Sequence, residues 1–293
     1  MILLPPILAA VLLAPPPPNP IPSFASPTPV AQEASPAEIV EDVIDEYDDA
    51  YAEFMKAYEE AETDEARQGA YEKMPRAKEY AERLWPVIDG APESAPALTA
   101  IVWVMSNRVA GERQDELSAH LLKHHLQAAE IGEVCFLFSR ETSVEAEHFL
   151  RTVREKSPAE SARGLATYAL AGVLGSRLGM EKSIAEADEE KREQLAQWYG
   201  EEAIAIAAEL DVEAVKAERE KLLLEARDRY GDIVYGSRKR LLRTVAGSAL
   251  FELHHLQVGM VAPDIEGPDL DGVDFKLSDY KGKVVFLDFW GDW

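Results

Sequence analysis

Two histidines and a glutamate at helical spacing are the first candidates for chemistry. His120 and His124 stand four residues apart, and Glu116 precedes His120 by another four, so one helical face would carry all three side chains. Imidazole and carboxylate groups at this spacing are typical zinc ligands. The His-Glu-x-x-His pattern of zinc peptidases is missing and no further ligand is evident, so we predict a solvated or partly buried histidine pair, with no metal and no cofactor.

Cysteine, the residue best suited to nucleophilic and redox chemistry, occurs once in the 293 residues. Cys135 lies in an apolar run between Val134 and Phe138, where burial would raise the thiol pKa and suppress the reactive thiolate. We therefore predict that Cys135 packs in the core. A single cysteine also excludes an internal disulfide framework, a cysteine-based zinc finger and a two-cysteine redox site within this chain.

The charge balance excludes several classes of partner. Asp and Glu number 54 against 30 Lys and Arg, which gives a formal net charge of -24. Such a surface repels phosphate backbones and anionic lipids, so we predict binding neither to nucleic acid nor to membrane surfaces. A dense basic cluster stands against this background at Arg238, Lys239, Arg240 and Arg243, and we expect it to pair with the acidic run from Glu186 to Glu190.

The first 35 residues have the character of a targeting segment. The run from Ile2 to Ala14 is apolar, a proline-rich tract follows it, and the first charged residue is Glu33. The pattern resembles the apolar core of a secretory signal followed by an extended linker, with a small-residue cleavage site near Ala31, although no positive charge precedes the core. We expect export to the periplasm or another extracytoplasmic space, and no membrane span in the mature chain, since the apolar run is too short for one. The alternative is a disordered tail on a cytosolic protein.

Residues 36–257 are predicted to form an α-helical domain. Val40, Ile44, Tyr47 and Phe54 recur at steps of three, four or seven residues, and Ser35 with Glu38 matches a capping box. The further predicted helices run over Asp64–Leu84, Ala95–Asn107, Glu116–Ala129, Val144–Lys156, Ala159–Leu178, Ile184–Leu210, Val212–Tyr230 and Ser237–His255. Their short connections predict stacked antiparallel hairpins. Because no catalytic pattern lies on them, we expect this domain to bind a protein partner or to self-associate.

Residues 258–293 have a different character. Five of the 17 glycines lie here, and the helical period stops. Asp271-Gly272 predicts a hairpin turn between two short extended stretches. Lys281-Gly282-Lys283 predicts a second turn, and Val284 to Phe289 is an apolar run that predicts a buried strand.

Four motifs in this segment occur in the order found in a known family. They are Gly259-x-x-Ala262-Pro263-Asp264, Asp271-Gly272, Leu277-Ser278-Asp279-x-x-Gly282-Lys283, and a hydrophobic run followed by Phe289-Trp290-x-x-Trp293. Residues 258–293 thus resemble the N-terminal part of the redoxin branch of the thioredoxin superfamily, that is, TlpA/ResA-like thiol-disulfide oxidoreductases and their AhpC/TSA relatives. The overall expectation is a mainly α chain that ends in the first β-hairpin and strand of an incomplete thioredoxin-like α/β fold.

The resemblance implies disulfide exchange by a Cys-x-x-Cys motif directly after Trp293, flanked by Phe289, Trp290 and Trp293. Its partners would be protein thiols and disulfides. No catalytic residue is present in this sequence, so we expect the chain alone to be inactive. Three origins fit the missing motif: a fragment, a frameshift or nonsense mutation, or an in-frame UGA codon for selenocysteine. We expect the tail, as an unfinished fold, to be poorly ordered or to pack irregularly on the helices.

Two other functions stay open at this stage. A Thr-x-x-Cys pattern after Trp293 would indicate a peroxiredoxin-type peroxidase, which shares the opening motifs. The second alternative is a non-enzymatic helical interaction scaffold with a degenerate redoxin tail.

Overall fold

The computed structural model describes residues 34–236 and 238–289, and these fold mainly into α-helices with two small antiparallel sheets, which confirms the predicted mainly α class. The helices are α1 Pro36–Glu59, α2 Asp64–Tyr71, α3 Ala77–Gly90, α4 Ala95–Ser106, α5 Gln114–His124, α6 Ile131–Leu137, α7 Val144–Lys156, α8 Glu160–Ala185, α9 Glu189–Tyr199, α10 Glu201–Ala208, α11 Val212–Asp228 and α12 Leu242–His255. The strands are β1 Val234–Tyr235, β2 Arg240–Leu241, β3 Glu266–Pro268 and β4 Asp274–Lys276. The signal-like run from Ile2 to Ala14 lies outside the described residues. None of the described helices has the length and apolar character that crossing a bilayer requires.

The start of α1 follows its sequence pattern. Ser35 Oγ accepts the backbone N–H of Glu38, and the Glu38 carboxylate accepts the backbone N–H of Ser35, so the predicted capping box is formed. Val40 and Phe54 of the predicted stripe are buried, and Tyr47 packs edge-on against the rings of Tyr80 and Trp103. The amphipathic pattern therefore places α1 on the helical core.

Helix α8 is the centre of the helical domain. Helices α7 and α11 make its most extensive contacts, and α6, α10 and the 3₁₀ turn Phe138–Arg140 pack on it as well. Helices α7 and α8 are joined by only a few residues, so they run antiparallel, as do α3 and α4. One continuous apolar cluster joins these elements, and its large buried members include Leu84, Ile101, Phe149 and Leu170.

Two predicted helices are divided in the structure. The expected helix over residues 64–84 breaks between α2 and α3, where Pro75 cannot donate a helical hydrogen bond. The expected helix over residues 184–210 breaks at Gly200, whose φ of 85° is left-handed. Conversely, the helix predicted to end at Leu178 continues through Gly179 to Ala185 as α8, because a glycine can also adopt helical angles.

The predicted start of the last helix at Ser237 is wrong. Helix α12 begins at Leu242, while Ser237 itself lies outside the described residues. Val234–Tyr235 and Arg240–Leu241 pair as β1 and β2 instead, with Tyr235 opposite Arg240. The turn of this hairpin contains Gly236 at φ 67° and Lys239 at φ 49°. A non-glycine residue in this region gives little signal in the sequence, so the hairpin was read as helix. The short helix α6, which carries Cys135, was also missed.

The tail forms its hairpin but not its strand. Strands β3 and β4 pair with Gly267 opposite Phe275, and Gly272 turns the chain at φ 79°, as Asp271-Gly272 predicted. The predicted strand Val284–Phe289 is not formed, because in the described part of the chain no neighbouring strand takes its backbone hydrogen bonds. No described residue from 258 to 289 is buried, so the tail contributes nothing to the helical core.

Candidate functional site

Asp264 links the first and third motifs of the tail. Its carboxylate accepts the backbone N–H of Ser278 at 2.8 Å and the Ser278 hydroxyl at 2.7 Å. These hydrogen bonds hold the pKa of Asp264 below its usual value. The Leu277 N–H also donates to the Ile265 carbonyl at 2.9 Å. The segment before β3 is thereby fixed to the turn after β4.

Aspartate side chains also shape the two ends of the hairpin. Asp269 Oδ1 accepts the backbone N–H groups of Asp271 and Val273, both at 2.9 Å, which stabilises the turn. The Asp279 carboxylate accepts the Lys276 N–H at 3.0 Å and caps the following 3₁₀ turn Leu277–Tyr280. The first three motifs of the tail therefore belong to one locally hydrogen-bonded unit.

The apolar run after this unit is extended and lies open to solvent. Val284 and Phe286 are 102% and 90% exposed, whereas Val285 and Leu287 are 42% and 48% exposed. The alternation has the two-residue period of a strand. Val285 and Leu287 line a groove of about 500 Å³ together with Val261 and Ala262. The side chains of residues 284–287 thus alternate in exposure as in a β-strand, but their backbone forms no hydrogen-bonded ladder with another described strand.

The structure places the predicted motif residues as follows. Ala262 lines the groove and Pro263 beside it is half-buried, while Gly259 and Gly282 have φ values of 90° and 86° that favour glycine. The Lys283 ammonium lies 5.6 Å from the centre of the Tyr280 ring. Phe289, predicted to flank the redox site, is 81% exposed. Trp290 and Trp293, predicted for the same role, lie outside the described residues.

Cys135 is buried, as the sequence predicted. It lies on α6 with no exposed surface, and its thiol donates to the Ile131 carbonyl at 3.4 Å. Burial raises the pKa of the Cys135 thiol far above its usual value. A thiol that is neither exposed nor ionised cannot attack a disulfide.

The histidine pair makes ordinary polar contacts. His120 Nε2 lies 3.4 Å from Glu116, and the rings of His120 and His124 are 6.1 Å apart. Arg113 holds the same Glu116 carboxylate through two hydrogen bonds of 2.9 Å, and these keep the pKa of Glu116 low. Among the described residues no cluster of three or more His, Cys, Asp or Glu side chains is arranged to hold a metal ion.

The basic cluster near residue 240 has a different environment from the one expected. Arg238, Lys239 and Arg240 lie in the β1–β2 hairpin, and Arg243 pairs with Asp232 rather than with the acidic run at Glu186. The expected pairing across helices is therefore wrong for Arg243. Its partner lies only eleven residues away along the chain.

A buried ion-pair network was not anticipated from the sequence. Arg177 of α8 is 6% exposed, and it donates to the carbonyls of Thr142 and Ser143 and to the Glu147 carboxylate. Glu147 also accepts Arg151 at 2.6 Å. An arginine inside the Ala- and Leu-rich stretch of α8 was the available signal, because a charge there needs a partner. This network joins α7 to α8 and is structural.

Comparisons with known proteins match only a short part of the chain. Over 50 residues the chain is 44% identical to the thiol-disulfide oxidoreductase ResA of Geobacillus thermodenitrificans, which is 17% of this chain and 29% of that protein. Over 36 residues it is 58% identical to ResA of Geobacillus kaustophilus, or 12% of this chain and 21% of that one. ResA of Bacillus anthracis is 50% identical over 38 residues. The chain therefore spans less than a third of the length of these relatives.

No family model matches the chain, and no solved structure matches it at a significant level. The short matches support a thioredoxin-like redoxin relationship for part of the chain.

Proposed function

We propose that this chain is part of an exported thioredoxin-like thiol-disulfide oxidoreductase, in which residues 36–257 form a helical domain and residues 258–293 begin the redoxin domain. The observation that carries the proposal is the short, strong similarity to ResA proteins, at 44–58% identity. The match to ResA of Geobacillus kaustophilus, 36 residues, equals the length of residues 258–293. The hydrogen-bonded unit built on Asp264 and Ser278 supports the same assignment, because it involves two of the four motifs.

The proposed chemistry is exchange between a dithiol and a substrate disulfide. A thiolate attacks one sulfur of the substrate disulfide, whose S–S bond breaks as a mixed disulfide forms and the other substrate sulfur leaves as a thiolate. The second thiol then attacks the mixed disulfide, which releases the reduced substrate and leaves the two reactive groups joined as a disulfide. The described thiol, Cys135, is buried and un-ionised, so it takes no part. We propose that the two reactive groups follow Trp293, as Cys-x-x-Cys or with selenocysteine at the first position, and that Phe289, Trp290 and Trp293 flank them.

The nucleotide sequence downstream of codon 293 tests this proposal. We expect codons for Cys-x-x-Cys, or a UGA codon followed by redoxin-like coding sequence. A chain extended by that sequence should reduce insulin disulfides with dithiothreitol as the electron donor, and a Cys135→Ser variant of it should keep full activity. Unrelated sequence after codon 293, or activity that depends on Cys135, would contradict the proposal.

If Thr-x-x-Cys follows Trp293 instead of Cys-x-x-Cys, the proposed function is that of a peroxidase. The extended chain would then consume hydrogen peroxide and leave insulin unreduced.

A non-enzymatic scaffold is the second candidate function, and the observation that favours it is the independence of the helical core, to which no described tail residue contributes. Stable expression of the chain as given, with a specific protein partner and no redox activity after extension, would support the scaffold.

Export is proposed from the sequence of the N-terminal segment. An apolar run followed by a proline-rich tract is typical of a secretory signal and linker. The mature protein recovered from an exporting bacterial host should begin at Gln32, after the small residue Ala31. N-terminal sequencing checks this, and an intact Met1 on protein retained in the cytoplasm would refute it.

A further inference from the structure

Several arginines collect on one face of α8, and none of them has an acidic partner among the side chains that the structure describes. Tyr168 and Gly175 lie on this face, separated by two turns of the helix. The guanidinium group of Arg219, from α11, lies against Gly175, where an added Cβ would meet its Nε at 2.9 Å and its Cζ at 3.2 Å. Gly175 therefore lets the cation approach the helix backbone closely.

The β1–β2 hairpin and the turn after α6 bring two more arginines to the same face. The ring of Tyr235 packs between Tyr168 and Phe136, with ring centres 4.7 Å and 4.9 Å away. Arg240 is directly opposite Tyr235 in the β ladder. Arg140 ends the 3₁₀ turn whose Ser139 carbonyl lies against Gly172, one turn of α8 beyond Tyr168.

The charges that act on the Tyr168 hydroxyl agree with this placement of the three arginines. Burial raises the pKa of Tyr168, and the positive charges of Arg240, Arg219 and Arg140 all oppose that rise. The three guanidinium groups thus act on one hydroxyl.

The acidic neighbours of these arginines are engaged elsewhere. Glu218 pairs with Arg151, Glu220 contacts His254, and Glu141 accepts the side chain of Gln114. Among the side chains that the structure describes, which do not include that of Glu202, no carboxylate lies within 4.0 Å of Arg140, Arg219 or Arg240. The Arg219 Nε is buried and has no hydrogen-bond partner. A buried donor without a partner is costly, and three cations repel one another unless an anion joins them.

We propose that Arg140, Arg219 and Arg240 form a binding site for a phosphate-type dianion on the Tyr168 face of α8. Guanidinium groups match the oxygens of a phosphate group in charge and planar geometry. Arg140 and Arg240 are exposed, so the ligand can enter from solvent. Arg140 also lines a cavity of about 250 Å³ whose other polar residues, Thr142, Ser176, Ser183 and Tyr199, supply hydroxyls. The site is separate from the tail and from the proposed redox chemistry.

Calorimetric titration of the full chain with inorganic phosphate at pH 8 and constant ionic strength tests the site. We expect saturable binding with one phosphate per chain, and at least tenfold weaker binding by the Arg140→Gln, Arg240→Gln double variant. Arg67→Gln is the matched control, since this exposed arginine lies on α2 and pairs with Asp64. Circular dichroism verifies folding, and the two single variants, each expected to weaken binding, serve if the double variant does not fold.

A parallel titration with glycerol 3-phosphate separates the two sources of such an anion. Tighter binding of the ester identifies a phosphomonoester ligand, and tighter binding of inorganic phosphate identifies the free ion; either supports the site. Absence of saturable binding for both compounds overturns the proposal. Equal binding by the wild-type chain and the folded double variant overturns it as well.

Discussion

Glu147 accepts hydrogen bonds from two arginines, and its position shows how burial sets the importance of a single charge in this chain. Arg177 is almost fully buried, whereas Arg67 and Asp64 form an exposed pair with the Asp64 side chain open to solvent. The sequence predicted the buried state of Cys135, because its neighbours are apolar. It could not predict the Arg177–Glu147 contact, because the two residues are thirty positions apart and meet only through the packing of α7 on α8.

Replacement of Glu147 by glutamine should therefore destabilise the protein strongly. The variant leaves the buried Arg177 guanidinium without its carboxylate, and we expect a loss of about 3 kcal/mol in the free energy of unfolding. The control variant Asp64→Asn, at an exposed ion pair, should change it by less than about 0.5 kcal/mol. Urea unfolding followed by circular dichroism measures both. Similar losses in the two variants would mean that burial does not decide the outcome.

At the scale of single elements, caps were predictable and interruptions were not. Ser35 and Ser143 precede their helices and cap them, and the predicted range Val144–Lys156 is the range observed for α7. Gly179 and Gly200 are the same residue type, yet one continues a helix and the other ends one. Their backbone angles are set by tertiary packing, which a single sequence does not contain. The hairpin of the tail was predictable because Asp271-Gly272 favours one turn geometry.

Two glycines of α8 should respond to alanine in opposite directions. At Gly172 an added Cβ would collide with the Ser139 carbonyl, so Gly172→Ala should lower the free energy of unfolding by about 1–3 kcal/mol. At Gly179 the added Cβ meets nothing within 4 Å, so Gly179→Ala should raise it by about 0.5–1 kcal/mol, because alanine loses less backbone entropy in a helix. Thermal and urea unfolding report both values. Destabilisation by Gly179→Ala would show that this position has a packing role that the structure lacks.

At the scale of the whole molecule, the helical region and the tail differ in the burial of their apolar side chains. The helices share a continuous apolar core, while residues 258–289 contain no buried side chain. In the sequence, this difference coincides with the end of the helical period and the rise in glycine content at Val258. The predicted redox site could be recognised only through its motifs, since the sequence contains one cysteine and no Cys-x-x-Cys motif. The arginine face of α8 had no sequence signal, because Arg140, Arg219 and Arg240 come from three separate elements.

Removal of the tail should leave the stability of the helical region unchanged. A chain shortened to residues 35–257 should unfold within about 2 °C of the midpoint of the longer chain, 35–293, because none of the described tail residues joins the apolar core. Differential scanning calorimetry provides the midpoints. A decrease of 5 °C or more would show that the tail stabilises the helices, and would place the domain boundary elsewhere.

The contacts of Asp264 with Ser278 also bear on how this region is synthesised. They close a loop of only 14 residues, and every other hydrogen bond of the hairpin is equally local. Contacts of such low sequence separation form within microseconds, far faster than the ribosome adds the next amino acid. The hairpin can therefore be in place before residues 284–289 leave the exit tunnel, so the earliest part of this region to fold is also the first part to emerge.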